Sequence, residues 1–132
     1  MNVIPVRIQR RRTRGYDMQA VSRATNGLDC ISVTRPGRWG NPYDVRVFGR
    51  ELSMTLFRET MDGCWSPSLV KDVSDELCGA AYAAHCAFIK RIREHPAEAA
   101  RSELRGHNLS CYCGPDEACH ADILLEFANE KR

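Results

Sequence analysis

Residues 108–124 read NLSCYCGPDEACHADIL, and their reading decides the fold. Asn108 to Cys113 has the short, mixed apolar character of a β-strand, closed off by Gly106 before it and Gly114-Pro115 after it. A final helix is expected to begin near Asp116 to Cys119, because Ile123, Leu124 and Phe127 form an apolar stripe at helical spacing. The same order of strand, loop and helix occurs earlier in the chain. Leu28 to Thr34 follows the turn signal Asn26-Gly27 and alternates polar with apolar residues, as a short strand does. It runs into Arg35-Pro36-Gly37-Arg38-Trp39-Gly40-Asn41-Pro42-Tyr43, where two prolines and two glycines demand a fixed loop.

Between these units the pattern is helical. Leu52, Leu56, Phe57 and Met61 mark a helix that starts near Gly49 and stops at Gly63. A longer helix is expected from about Ser68 to Glu94, with Val73, Leu77, Ala81, Ala84, Phe88 and Ile92 on its apolar side and Gly79 as a weak point. Pro96 suits the first position of a short helix through Leu104, with Gly106 as its stop. Helices that separate strands favour parallel pairing with right-handed crossovers, and sites then gather where strand ends meet helix N-termini. The expectation is a small single α/β domain over residues 1–132, with a short, mainly parallel sheet and flanking helices. Residues 1–18 form its basic N-terminal arm or an edge strand.

The chain has 132 residues and a formal net charge of +2, but the charge is uneven. Residues 1–50 carry ten Arg against three Asp, whereas the rest carries nine basic and fourteen acidic side chains. Sixteen of the nineteen basic residues are Arg, the side chain that grips phosphate and carboxylate bidentately, although a GC-rich genome produces the same bias. The run Arg10-Arg11-Arg12-Thr13-Arg14, with Tyr16 near its end, suits a phosphate backbone or a solvated arm. No stretch approaches the roughly 18 apolar residues of a membrane helix, and no secretory signal opens the chain, so a cytoplasmic protein without a membrane partner is expected. Seven cysteines in such a protein point to free thiols or metal ligands instead of disulfides. Cys30, Cys64, Cys78 and Cys86 read as small buried hydrophobes.

Cys111, Cys113, Cys119 and His120 form the densest chemical signal. Residues two apart on a strand share a face, and a helix N-terminus favours a thiolate. Three sulfurs and an imidazole match a zinc site in ligand type, with zinc the candidate cofactor, but adjacent Cys119 and His120 diverge by about 100° if both are helical. A metal-free site in which Cys113 or Cys119 is activated by His120 is the other functional reading, and packing alone is the plain one. In the loop after the first strand, Arg35 and Arg38 can hold phosphate, backbone N–H groups near Gly37 and Gly40 can cradle an oxyanion, Trp39 can stack on a ring and Asn41 can read its edge; a structural turn with Trp39 plugging the core is the alternative. Arg12 of the basic run joins this binding set.

Three motifs resemble the family catalogued as domain of unknown function 4326. They are Arg10-x-Arg12-x-x-Gly15-Tyr16-x-Met18, then Thr34-Arg35-Pro36-x-Arg38-Trp39-Gly40-Asn41-Pro42-Tyr43, then Leu104-Arg105-Gly106-x-x-Leu109-x-Cys111-Tyr112-Cys113-x-Pro115 followed by Cys119-His120-Ala121-Asp122-Ile123-Leu124. Tyr112 stands where that family often has Trp, and Ala121 where it often has Gly. The resemblance implies a phage or actinobacterial setting but no particular reaction. The residues themselves support a nucleotide- or nucleic-acid-directed protein, read as an enzyme, with a phosphate-bearing partner, and the resemblance implies that the nucleotide or nucleic-acid metabolism it serves is of phage type. A non-catalytic zinc-stabilised binding module and a nucleotide-sequestering protein are the alternatives.

Overall fold

Three short strands, β1 (Arg7–Gln9), β2 (Cys30–Ser32) and β3 (Asn108–Cys111), lie parallel in the order β1-β3-β2. The computed structural model describes residues 3–66 and 74–130. Ile8 sits opposite Ser110 on one side of β3, and Ile31 opposite Leu109 on the other. β1 is therefore an edge strand, and the strand nearest the C-terminus is central and buried throughout. Both strands of the sequence reading are shorter than expected, Leu28 to Thr34 reduced to residues 30–32 and Asn108 to Cys113 to residues 108–111.

Side chains alternate across β3, so its two faces meet different partners. Leu109 and Cys111 join the apolar core beneath α5 (Pro96–Leu104) and α6 (His120–Ala128), which contribute Leu104, Leu124 and Ala128. Asn108 and Ser110 face the other way, toward α1 (Met18–Asn26). The buried Asn108 amide is saturated there: its Nδ2 donates to Ser22 Oγ and Asn26 Oδ1, and its Oδ1 accepts from Val6 N and Asn26 Nδ2. A buried amide of this kind is tolerated only when such partners exist. α1 itself has no place in the sequence reading, because its contacts are polar. Asp17 caps it, Gly27 ends it in the left-handed region, and the Gln19 side chain exchanges two hydrogen bonds with the backbone of Cys30, pairing with β2 as a neighbouring strand would.

The remaining helices, α2 (Val45–Phe48) apart, follow their sequence signals; α2, a single turn, has no place in the sequence reading. α3 (Arg50–Asp62) ends at Gly63 with φ 75°. α4 (Asp75–Ile92) is capped by the Ser74 hydroxyl, carries Asp75 and Glu76 in its first turn and Lys90 and Arg91 in its last, and runs unbroken through Gly79. The expected start at Ser68 and the stripe position Val73 fall outside the described residues. Pro96 opens α5. Two cysteines correct the sequence reading: Cys30 is buried, but Cys64 and Cys86 are exposed. No helix among the described residues is long and apolar enough to cross a membrane.

Parallel pairing puts the carboxyl ends of all three strands at one edge of the sheet. The segments that leave there are the basic run after β1, the Pro/Gly loop after β2 and the Cys113–Cys119 turn after β3.

Candidate functional site

The Pro/Gly loop is held by its own backbone. Gly37 N donates to Thr34 O and Gly40 N to Gly37 O, and the Arg35-Pro36 peptide is cis. A Cβ at Gly40 would lie 2.8 Å from both Cα and Cγ of Arg35, so only glycine fits the close approach. The two N–H groups expected to cradle an oxyanion are thus spent inside the loop.

Trp39 is also used within the fold. Its indole is 3% exposed, meets Phe88 edge-on with ring centres 6.1 Å apart, and donates Nε1–H to Glu103 Oε1. Arg38 grips the same Glu103 with two nitrogens at 2.8 and 2.7 Å and also caps the end of α4 through Arg91 O and Ile92 O. Asn41 binds Ser53 Oγ and the Tyr43 amide, at 2.9 Å each. Arg38, Trp39 and Gly40, expected at a ligand, form instead the frame on which the loop rests. Asn41 reaches the cleft wall with its amide engaged.

The loop does meet the Cys/His segment. His120 Nε2 lies 2.8 Å from Val33 O and 3.1 Å from Trp39 O. Two carbonyls can only accept, so Nε2 carries the proton and Nδ1 presents a lone pair in the neutral ring. Phe57 packs edge-on against the ring at 5.3 Å and fixes its plane. The lone pair faces sulfur: Cys119 Sγ is 3.7 Å from Nδ1. This closeness corrects the expected divergence of Cys119 and His120. Cys119 is not helical but the extended N-cap of α6, with φ −139° and ψ 144°, and its sulfur accepts from Ala121 N.

Around that N-cap the three thiols converge. The sulfurs of Cys111, Cys113 and Cys119 all lie within 4.8 Å of one another, and Cys111 and Cys119 are only 2.9 Å apart. This cluster could hold a metal ion. The shared hydrogen bond lowers the Cys111 thiol below its ordinary value and, with burial, pushes Cys119 up to about 11. Burial raises Cys113.

Two arginines absent from the sequence reading position the turn between these cysteines. Arg7 on β1, nearly buried, donates to the carbonyls of Gly114, Pro115 and Glu117 at 3.0–3.1 Å and lies 3.5 Å from Asp122. Arg50, at the start of α3, donates to Ala118 O and pairs with Glu117 Oε2, and it reaches within 3.8 Å of Cys113 Sγ. Glu117 in turn accepts from Gly114 N.

Above the cluster opens a cleft of about 430 Å³ with Cys111, Cys113 and His120 in its floor. Its walls carry Arg12, Arg35, Arg46 and Arg50 against the single carboxylate of Asp44. Hydrogen bonds from Arg46, and then from Arg35, hold the Asp44 carboxyl well below the usual carboxylate range. Of the expected phosphate grips, Arg12 and Arg35 therefore line the cleft, and Arg46 and Arg50 are additions. Asp44-x-Arg46 before a helix and Arg50 after Gly49 were visible in sequence, but nothing local marks them as neighbours of Cys113.

A family model described as a domain of unknown function, DUF4326, matches residues 8–130. No curated relative and no solved structure matches the chain.

Proposed function

The chain belongs to the DUF4326 family, and for this member we propose a nucleotide- or nucleic-acid-directed enzyme whose arginine-walled cleft takes the phosphate and whose cysteine cluster holds zinc at the floor. The observation that carries the reading is the convergence of three sulfurs within 4.8 Å, two of them in the floor of a cleft walled by four guanidiniums.

The donor set fits the ion. Tetrahedral zinc with sulfurs at about 2.3 Å spaces them by roughly 3.8 Å, so the Cys111–Cys119 pair spreads by about 0.9 Å on binding. A sulfur and a histidine nitrogen on one such ion stand roughly 3.5 Å apart, close to the Cys119–His120 separation of 3.7 Å. The backbone carbonyls on His120 Nε2 are the outer partners that orient a ligating imidazole. The fourth donor would be a ligand atom entering from the cleft, or His120 Nδ1, which is near Cys119 but outside the group of three sulfurs that lie within 4.8 Å of one another. Bound there, zinc would polarise an oxygen of the ligand.

The residues of the chain do the rest. Arg12 and Arg35, which line the cleft, bind the phosphate group by charge-assisted hydrogen bonds in this reading, and Arg50 offsets the negative charge of Cys113 as a thiolate. A second reading rests on the 2.9 Å contact of Cys111 with Cys119: without metal, these two thiols hydrogen-bond to each other, and Cys113 faces the ligand as the nucleophile.

Calorimetric titration of the purified protein with a nucleoside 5′-monophosphate tests the cleft. Saturable binding that weakens at least tenfold in Arg12→Gln and Arg35→Gln is expected. Binding that is absent, or indifferent to both substitutions, contradicts the reading.

A further inference from the structure

Several arginines of this protein are matched to carboxylates. Arg23 pairs with Asp29, Arg38 with Glu103, Arg46 with Asp44, Arg50 with Glu117 and Arg58 with Glu126. The basic run after β1 differs. Arg10, Arg11, Arg12 and Arg14 make no ion pair with any described residue. Arg10 donates to the hydroxyls of Ser32 and Thr34, Arg11 reaches only Gln9 Oε1 at 3.5 Å, and Arg12 lies over the Tyr112 ring at 4.6 Å.

The run is nevertheless a built loop. Arg10 N is tied to Cys111 O, Tyr16 N to Thr13 O, and the Tyr16 hydroxyl to Gln9 O at 2.6 Å. Holding four like charges together in one fixed loop costs repulsion that a polyanion would relieve. The loop begins at the carboxyl edge of the sheet, and Arg12 belongs both to it and to the cleft wall.

Tyr112 lies at this junction. Its ring is 40% exposed, has the guanidiniums of Arg10 and Arg12 at 5.1 and 4.6 Å, and lines the same cleft. Aromatic rings and guanidinium planes beside a cationic track are how proteins hold unpaired bases, whose faces a duplex keeps stacked away. We infer that the ligand of the cleft is a single nucleic-acid strand: its backbone follows Arg10–Arg14, one base stacks at Tyr112 and Arg12, and one nucleotide enters the cleft above Cys113. This rests on the phosphate reading of the cleft and narrows it from nucleotides in general to a strand.

The test is fluorescence anisotropy with a labelled eight-nucleotide single-stranded DNA of mixed sequence and its RNA counterpart, competed by a nucleoside 5′-monophosphate and by a blunt DNA duplex. The expected result is at least tenfold tighter binding of one of the strands than of the monophosphate or the duplex. The double variant Arg11→Gln/Arg14→Gln, whose sites are not in the cleft wall, should reduce the log affinity versus log salt slope by about 1.4 while leaving the monophosphate affinity unchanged. Tyr112→Leu should weaken the strand roughly 5-fold or more. Strands no tighter than the monophosphate, a duplex equally tight, or an unchanged salt slope would overturn the inference and leave the cleft reading standing. Failure of strands and monophosphate alike would overturn both.

Discussion

Arg7→Met removes the clamp on the turn that carries Cys113 and Cys119 while keeping an apolar stem of similar reach. Arg7 donates to three carbonyls; those of Pro115 and Glu117 are exposed and regain water when the guanidinium is lost, whereas that of Gly114 is partly buried. The first two bonds are therefore worth about 0.5–1 kcal/mol each and the third about 1.5 kcal/mol. The Asp122 pair, at 3.5 Å with its carboxylate half exposed, adds no more than about 0.5 kcal/mol. The expected loss is about 2.5–4 kcal/mol in a urea titration of the zinc-loaded protein. The cysteine turn also loses its preset geometry, so zinc affinity, read by competition with a chromophoric chelator, should fall by roughly 10- to 100-fold. Arg7→Lys keeps the charge but offers a single ammonium in place of a fork, and should recover only a minor part of either loss. Stability within 0.5 kcal/mol of wild type, together with unchanged zinc affinity, would refute the reasoning that Arg7 holds the turn.

Gly40→Ala forces a methyl onto the Arg35 backbone and should cost about 1–3 kcal/mol in chemical denaturation. Trp39→Phe keeps the edge contact with Phe88 but loses the bond to Glu103; a drop of about 1–2 kcal/mol in stability with unchanged affinity for a nucleoside monophosphate is expected, and lost affinity in a folded protein would put the indole at the ligand. Asp44 caps α2, and its folded-state pKa lies below its unfolded one, so its contribution is fully present above the unfolded value near ~3.9 and is lost as pH falls toward the folded value. Asp44→Ala should accordingly cost about 1 kcal/mol at pH 7, with the gap to wild type narrowing below about pH 4 in acid-denaturation curves.

The parts of this molecule that could be read from the chain are those whose signal is local. Gly63 and Pro96 bound helices because of their own backbone restrictions, and the apolar residues of β3 and α6 mark elements that pack on one core. α1 escaped because its packing is polar: Ser22, Asn26 and Gln19 bind Asn108 and the edge of β2, and no apolar stripe records this. At the site, the convergence of Cys111, Cys113 and Cys119 follows from strand periodicity and a turn, so it was legible. The compatibility of Cys119 with His120 was not, since it depends on where α6 starts to within one residue. Trp39 and Arg38 drew attention by their chemistry, yet Glu103, more than sixty residues away, claims both. Separation in sequence likewise hid Arg7 and Arg50, whose partners lie in the turn after β3.

The central claim is a zinc ion on three cysteine sulfurs at the floor of the arginine cleft. Zinc-edge X-ray absorption on protein purified without added metal, after prolonged dialysis and with metal content measured on the same sample, tests it most directly. The account predicts one zinc per chain with three sulfurs at about 2.3 Å. Protein that retains no stoichiometric metal, with Cys111, Cys113 and Cys119 all titrating as free thiols once unfolded, would contradict it.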